Sequence, residues 1–206
     1  MRTGDTPGVG LSSRRKIGVM GGTFDPIHLG HLIVADEARH QLALDEIVFV
    51  PAAAPWQKQP QVDASHRLAM VRLAVNSVPG FSVSDVDISR GGNTYTVDTL
   101  SDLRTHYRDA ELLLLIGTDA LNGIHTWKEP ERIATMAQIV CLARPGYRVE
   151  TSPKYSGAVT FVEVPAIDIS STDCRQRCED GRPFRFMLPE AVYEYIEKND
   201  LYRRIS

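Results

Sequence analysis

In Ile17-Gly18-Val19-Met20-Gly21-Gly22-Thr23-Phe24-Asp25-Pro26-Ile27-His28-Leu29-Gly30-His31, an apolar run ends at paired glycines, and two histidines stand where the next helical pattern begins. A short apolar run closed by glycine predicts a buried strand and a turn. From Leu32 to Leu42 charged and apolar residues interleave, which predicts an amphipathic helix. Glycine lets the backbone approach a phosphate closely, and a helix N-terminus offers unpaired N–H groups at the positive end of its dipole. His28 and His31, three apart, fall on one face of the helix start, and Gly30 leaves room for a ligand beside them. Taken singly, a His-x-x-His pair is commonly a capped helix start, and glycine after a strand is commonly a plain turn.

The same alternation continues outward. Ile47 to Val50 stops at Pro51 like a buried strand. Ser65 then caps a helix bearing Leu68, Val71 and Val75 that ends before Pro79-Gly80. Phe81 to Val83 and Val86 to Ile88 read as short strands, and Val97, Leu100, Leu103 and Tyr107 trace a helical stripe. Leu112 to Ile116 is a wholly apolar strand ending at Gly117, and Ile139 to Ala143 and Phe161 to Val164 supply two more, joined by a surface loop from Pro145 to Gly157. Two helices close the chain, one opening at Ser170-Ser171-Thr172 and one at Pro189, with Val192 and Ile196 on one face. The fold class is α/β: a doubly wound parallel sheet with helices on both faces and a ligand cleft at the carboxyl ends of its strands. The expected organisation is a flexible leader over residues 1–15 and a single domain over 16–206 with a small C-terminal helical segment.

Composition bounds the partners. The chain has 206 residues, enough for one domain, and its 43% hydrophobic and 24% charged residues exclude a disordered, collagen-like or coiled-coil chain. A formal charge of -3 without a long Lys/Arg run argues against nucleic acid as partner and leaves nucleotide-sized anions open. Three cysteines are too sparse for a disulfide scaffold or a four-ligand zinc site, so Cys174 and Cys178, one turn apart, read as small helix residues and no metal site is expected. No stretch approaches the roughly 18 apolar residues of a membrane span, and the first fifteen residues lack an apolar signal core. A cytoplasmic protein without a membrane partner is expected, and a homo-oligomer stays open.

Three further segments carry chemistry. Gly117-Thr118-Asp119 follows an apolar strand, where a glycine turn can pass close to a base or ribose and a carboxylate can accept from a hydroxyl or amine; an ordinary strand-end turn is the plainer reading. Ser170, Ser171 and Thr172 place hydroxyls and backbone donors at a helix start, with Arg175 one turn in, so the group suits a triphosphate. Gly91-Gly92-Asn93-Thr94-Tyr95-Thr96 precedes a helix bearing Asp98, a second set of N–H donors for an acid group. His40, His66, His106 and His125 fall outside these segments and read as structural or solvated.

The opening stretch resembles the TFDPxHxGH signature of the HxGH nucleotidyltransferase superfamily, which implies a Rossmann-like domain binding a nucleoside triphosphate at this loop. With Ser89 to Leu100, Gly117-Thr118-Asp119 plus Trp127, and Ile169 to Arg175 in order, the chain resembles the bacterial nicotinate mononucleotide adenylyltransferases. That resemblance implies transfer of AMP from ATP to nicotinate mononucleotide, giving deamido-NAD and pyrophosphate, with Mg²⁺ carried by the ATP phosphates. It implies His28, His31 and Arg175 as catalytic. ATP binding would fall to Gly21, Gly22, Thr23, Phe24, His28, His31, Gly117, Asp119, Ser170, Ser171, Thr172 and Arg175. The nicotinate nucleotide would meet Asp25, Lys58, Thr94, Tyr95, Thr96 and Trp127. Trp127 reads equally as a stacking platform for the pyridine ring and as a half-buried packing residue. Gln57 stands where the resembled family commonly has histidine, and Cys174 where it commonly has an aliphatic residue.

Three rival readings share parts of this pattern. Phosphopantetheine adenylyltransferases share the opening loop but typically carry threonine at the first histidine position, and His28 and the Tyr95 segment speak against them. A tRNA-charging enzyme would add a Lys-rich loop and an anticodon domain. A nucleotide sensor without catalysis would have no need to keep His28, His31 and Arg175 together.

Overall fold

The computed structural model describes residues 14–55, 59–145 and 159–203. Six strands form one sheet: β1 (Lys16–Gly22), β2 (Glu46–Pro51), β4 (Phe81–Val83), β6 (Glu111–Gly117), β7 (Gln138–Ala143) and β8 (Val159–Glu163). Their order is β4-β2-β1-β6-β7-β8, with every neighbouring pair parallel. The chain winds outward from β1 through β2 to β4, returns to lay β6 beside β1, and winds the other way. That reversal opens a crevice outside the carboxyl ends of β1 and β6. A two-stranded parallel ribbon of β3 (Ala54–Pro55) and β5 (Asn93–Thr94) lies apart from the main sheet.

Strict alternation along each strand builds two cores. Ile47 and Phe49 of β2, Leu113 and Leu115 of β6, and Val140 and Leu142 of β7 face one side. There they meet α1 (Leu29–Leu42), α2 (Ala64–Val75), α7 (Ser171–Glu179) and α8 (Glu190–Lys198). Val48, Val50, Leu112, Leu114, Ile116, Ile139 and Cys141 face the other side, under α4 (Thr96–His106), α5 (Thr118–Asn122) and α6 (Pro130–Met136). Near-continuous apolar strands are what burial on both faces demands, and each fully buried Leu or Ile stabilises the fold by about 1.5–3 kcal/mol. At Gly18 a Cβ would stand 2.8 Å from Leu44 Cδ1, so a side chain on the central strand there would displace that buried leucine.

The doubly wound sheet agrees with the sequence pattern, and four local expectations are corrected. Val86 to Ile88 is the start of a short helix, α3 (Val86–Arg90), because Asp87 turns inward to accept from Thr99 Oγ1 (2.7 Å) and Arg90 Nη2 (2.6 Å). Helix α2 is opened by Asp63 rather than Ser65, and Pro189 caps α8 rather than beginning it. Strand β8 begins at Val159, two residues before Phe161, in register with Ile139. Helices α5 and α6 had no counterpart in the sequence pattern; both are short, and each buries one apolar anchor, Leu121 and Ile133 respectively. Arg15, placed in the leader by the sequence pattern, is tied to the sheet: its carbonyl accepts from the Glu111 N–H and its guanidinium meets Glu46 at 2.8 Å. Residues 1–13 of the leader, Lys58 and most of the Pro145 to Gly157 loop lie outside the described residues.

Candidate functional site

Strand β1 ends at Gly21 and Gly22, and the chain turns over the crevice before α1 begins. A Cβ at Gly22 would stand 2.9 Å from the Phe24 ring, whereas at Gly21 and Gly117 nothing lies within 4 Å. The two open glycines end the neighbouring strands β1 and β6, so the crevice floor there is bare backbone. Phe24 takes a left-handed backbone (φ 50°), and its buried ring meets His31 edge-on at 5.2 Å. Its ring therefore supports the His31 imidazole.

His28 is the N-cap of α1 and His31 lies in the first turn. Their rings stack with centroids 3.7 Å apart, and the His28 N–H donates to His31 Nδ1 at 3.3 Å. An accepting Nδ1 puts the proton of neutral His31 on Nε2, which makes that atom a donor. Gly30 serves this pair in a way the sequence did not reveal: a Cβ there would stand 3.0 Å from His28 Nδ1, so the missing side chain makes room for the His28 ring rather than for a ligand.

Helix α7 docks onto the same loop. Ser171 Oγ donates to the Pro26 carbonyl (2.8 Å), and Arg175 Nη1 donates to the Asp25 carbonyl (2.6 Å) while Nη2 reaches Thr172 Oγ1 (3.3 Å). Ser170 caps the helix by accepting from the Asp173 N–H at 3.0 Å. Helix α7 is thus fastened to the loop that leads into His28 and His31. Ser171 and one arm of Arg175 hold the loop itself. Nδ1 of His28 and Nε of Arg175 are buried without a hydrogen-bond partner among the described residues. A buried orphan costs about 1–3 kcal/mol, and such orphans gather where a ligand or catalytic task compensates.

Asp25 departs furthest from expectation. Only 4% exposed, its carboxylate accepts the Gln61 N–H and the Tyr202 hydroxyl, both at 2.7 Å. Both oxygens are committed inside the protein. Beside it lies Arg67, fully buried, which donates from Nε to Val62 O (3.3 Å), from Nη1 to Thr23 O (2.8 Å) and from Nη2 to Ala53 O (2.9 Å). Neither Arg67 nor Tyr202 was marked by the sequence, since each is a lone polar residue on an amphipathic or terminal segment.

The second expected donor set lies at the start of α4. Thr94 Oγ1 accepts from the Ala53 N–H at 2.9 Å, which fastens the β3–β5 ribbon; Tyr95 caps α4, and Thr96 is its first residue. Gly91 (φ 73°) and Gly92 (φ 70°) take left-handed backbone that other residues adopt only with strain. Lys128 Nζ lies 4.9 Å from the Tyr95 ring centre and pairs with Asp98 at 2.9 Å, which brings the adjoining Trp127 to this helix start. Trp127 is half-buried against the core beneath α4. Asp119 and Gly117 are exposed at the end of β6.

Burial, then the charge of Arg144, lowers the His28 pKa from 6.5 to about 4, so the ring is neutral near pH 7. The unfolded chain takes up a proton below about 6.5 that the folded chain refuses until about 4. Stability therefore falls on acidification across that window, and not above it. His28→Asn is expected to flatten the loss: urea midpoints at pH 7 and pH 4.5 should separate more in the parent than in the variant. Equal separations would show that His28 is not the source.

Residues 19–177 match the family model described as cytidylyltransferase-like. The chain is 47% identical, over 98% of both sequences, to a protein of Clavibacter sepedonicus named "Probable nicotinate-nucleotide adenylyltransferase". It is 49% identical to the protein of the same name from Mycobacterium tuberculosis (strain ATCC 25177 / H37Ra), over 90% of this chain and 91% of the other. Among solved structures, the Plasmodium falciparum nicotinic acid mononucleotide adenylyltransferase complexed with NaAD matches with a TM-score of 0.75 at 21% identity, covering 92% of this chain and 98% of that one. The last match establishes a shared fold.

Proposed function

The chain belongs to the cytidylyltransferase-like family and, within it, to the nicotinate-nucleotide adenylyltransferases, and from that premise we propose the reaction and the residues that carry it. A phosphate oxygen of nicotinate mononucleotide attacks the α-phosphorus of ATP. The new P–O bond forms as the bond from that phosphorus to the α,β-bridging oxygen breaks, and pyrophosphate leaves with the electron pair. No covalent enzyme intermediate forms. No general base is needed either, because a phosphate monoester with a second pKa of about 6 is already largely dianionic near pH 7.

The barrier lies in bringing two anions together and in charge growing on the phosphates, so positioned donors do more than proton transfer. A neutral His28 and a His31 with its proton on Nε2 suit that task. Arg175, with Ser170 and Thr172 at the start of α7, extends the donor set along the triphosphate. Gly21, Gly22, Gly117 and Asp119 would receive the adenosine and its phosphates at the crevice floor, with Thr23, Phe24 and Ser171 as their support. Mg²⁺ enters with ATP as part of the substrate, keeping several of its waters. The observation that carries this reading is the docking of α7 on the loop that leads into His28, with Ser171 on the Pro26 carbonyl and Arg175 on the Asp25 carbonyl. Three buried free thiols suit a reducing cytoplasm, where we place the reaction.

The nicotinate nucleotide would lie toward Thr94, Tyr95, Thr96 and Trp127, with Asp25 acting from behind the loop. Pyrophosphate release from ATP and nicotinate mononucleotide tests the reaction, and its absence would reject it. Preference between acceptors tests the site. A carboxylate gains from the first N–H groups of α4, which an amide NH₂ meets donor to donor, so kcat/KM should favour the nicotinate over the nicotinamide nucleotide by roughly 10²-fold. Equal values would remove the α4 start from the acceptor site.

A further inference from the structure

Tyr202 belongs to none of the segments that mark the reaction, yet it reaches across 177 positions of sequence to Asp25. Two non-glycine residues with left-handed backbone, Asp200 (φ 50°) and Tyr202 itself (φ 62°), turn the chain after α8 so that the ring enters the fold. Such conformations cost on the order of 1 kcal/mol each and persist where surrounding contacts over-determine them. The hydroxyl meets Asp25 Oδ1 at 2.7 Å; the Gln61 N–H holds Oδ2; Arg175 holds the Asp25 carbonyl and Arg67 the Thr23 carbonyl. The loop that leads into His28 is thereby gripped from α2, α7 and the end of the chain at once. Burial first, then the charge of Asp25, raises the Tyr202 pKa, so its proton stays in place as the donor.

We propose that Tyr202 is a positioning residue for adenylyl transfer: by holding the Asp25 carboxylate from behind, it fixes residues 23–31 so that His28 and His31 meet the triphosphate without rearrangement. The kinetic part rests on the reaction proposed above; the geometric part does not. Preorganised donors lose effect when they must move to their target, and small misplacements far from the chemistry lower turnover.

Tyr202→Phe keeps the ring and removes only the hydroxyl. Its kcat should fall roughly tenfold with KM for the nicotinate nucleotide within about twofold, the pattern of an interaction realised in the transition state. The imidazole nitrogen signals of His28 and His31 in long-range ¹H–¹⁵N spectra of the free protein should shift. Tyr195→Phe is the control, because it removes a contact of Tyr195 Oη with His66 Nδ1 (3.0 Å) between α8 and α2 without touching Asp25. It should lower Tm and leave kcat and the imidazole signals in place. Should Tyr202→Phe fail to fold, Asp25→Asn should give the same imidazole shifts and the same loss of kcat. Parent-like kcat together with unmoved imidazole signals would overturn the proposal. If the parent released no pyrophosphate, the reaction would fall, and the spectra would still decide whether Tyr202 orders the histidine pair.

Discussion

Replacing His31 by alanine is expected to lower kcat by about 10²-fold or more, the scale seen when one preorganised donor is lost from a charge-stabilising site. His31 is half-exposed in the first turn of α1, so the fold does not depend on it. Its position nevertheless depends on many groups: the His28 ring stacked at 3.7 Å, the His28 N–H on Nδ1, and the edge of Phe24 at 5.2 Å. These contacts leave Nε2 as the atom that carries the donated proton. Alanine removes that donor and the acceptor for the His28 N–H while keeping a good helix former. Steady-state pyrophosphate release alongside far-UV circular dichroism separates chemistry from folding. Turnover within about twofold of the parent, in a folded variant, would remove His31 from the mechanism.

The largest loss of stability is expected from Arg67→Ala. The guanidinium is fully buried and divides its donors among three backbone carbonyls: Thr23 after β1, Ala53 after β2 and Val62 just before α2. Burial pulls its pKa down, and the charges of Asp25 and Asp63 hold it up in turn. Alanine would orphan three carbonyls, leave the buried Asp25 without its neighbouring cation, and open a cavity. The expected cost is about 3–5 kcal/mol, the range for breaking a buried charged group's partnership. At about 2–4 °C per kcal/mol for a chain of this size, Tm should drop by roughly 10 °C. Arg67→Lys should recover little, because a single ammonium cannot span three divergent carbonyls. Urea unfolding of both variants checks this, and a loss under about 1 kcal/mol would show that water replaces the guanidinium.

Arg67 and Tyr202 also show where sequence reading stops. Leu112 to Ile116 and Ile139 to Ala143 announce buried strands because burial on both sheet faces leaves a continuous apolar run in the chain itself. Val86 to Ile88 misleads because three alternating residues fit a strand, whereas the conformation is set by Asp87 turning inward to Thr99, twelve positions on. Asp25 is placed at the substrate by its motif, and what holds its carboxylate comes from elsewhere in the chain. Its actual partners, Gln61 and Tyr202, carry no pattern at all.

From the order of residues alone came the alternating strands and helices and the doubly wound parallel sheet, because periodicity and glycine placement are local and survive in one dimension; His28, His31 and Arg175 were singled out by resemblance to a motif. Only the folded chain decided what each polar group is bound to. Gly30 makes way for an imidazole, Phe24 braces His31, Ser171 fastens a loop, and Tyr202 grips a buried carboxylate. Hydrogen bonds are short-ranged and satisfied by whichever partner the packing delivers, and between residues 25 and 202 that partner is fixed by three dimensions and by nothing in the intervening sequence.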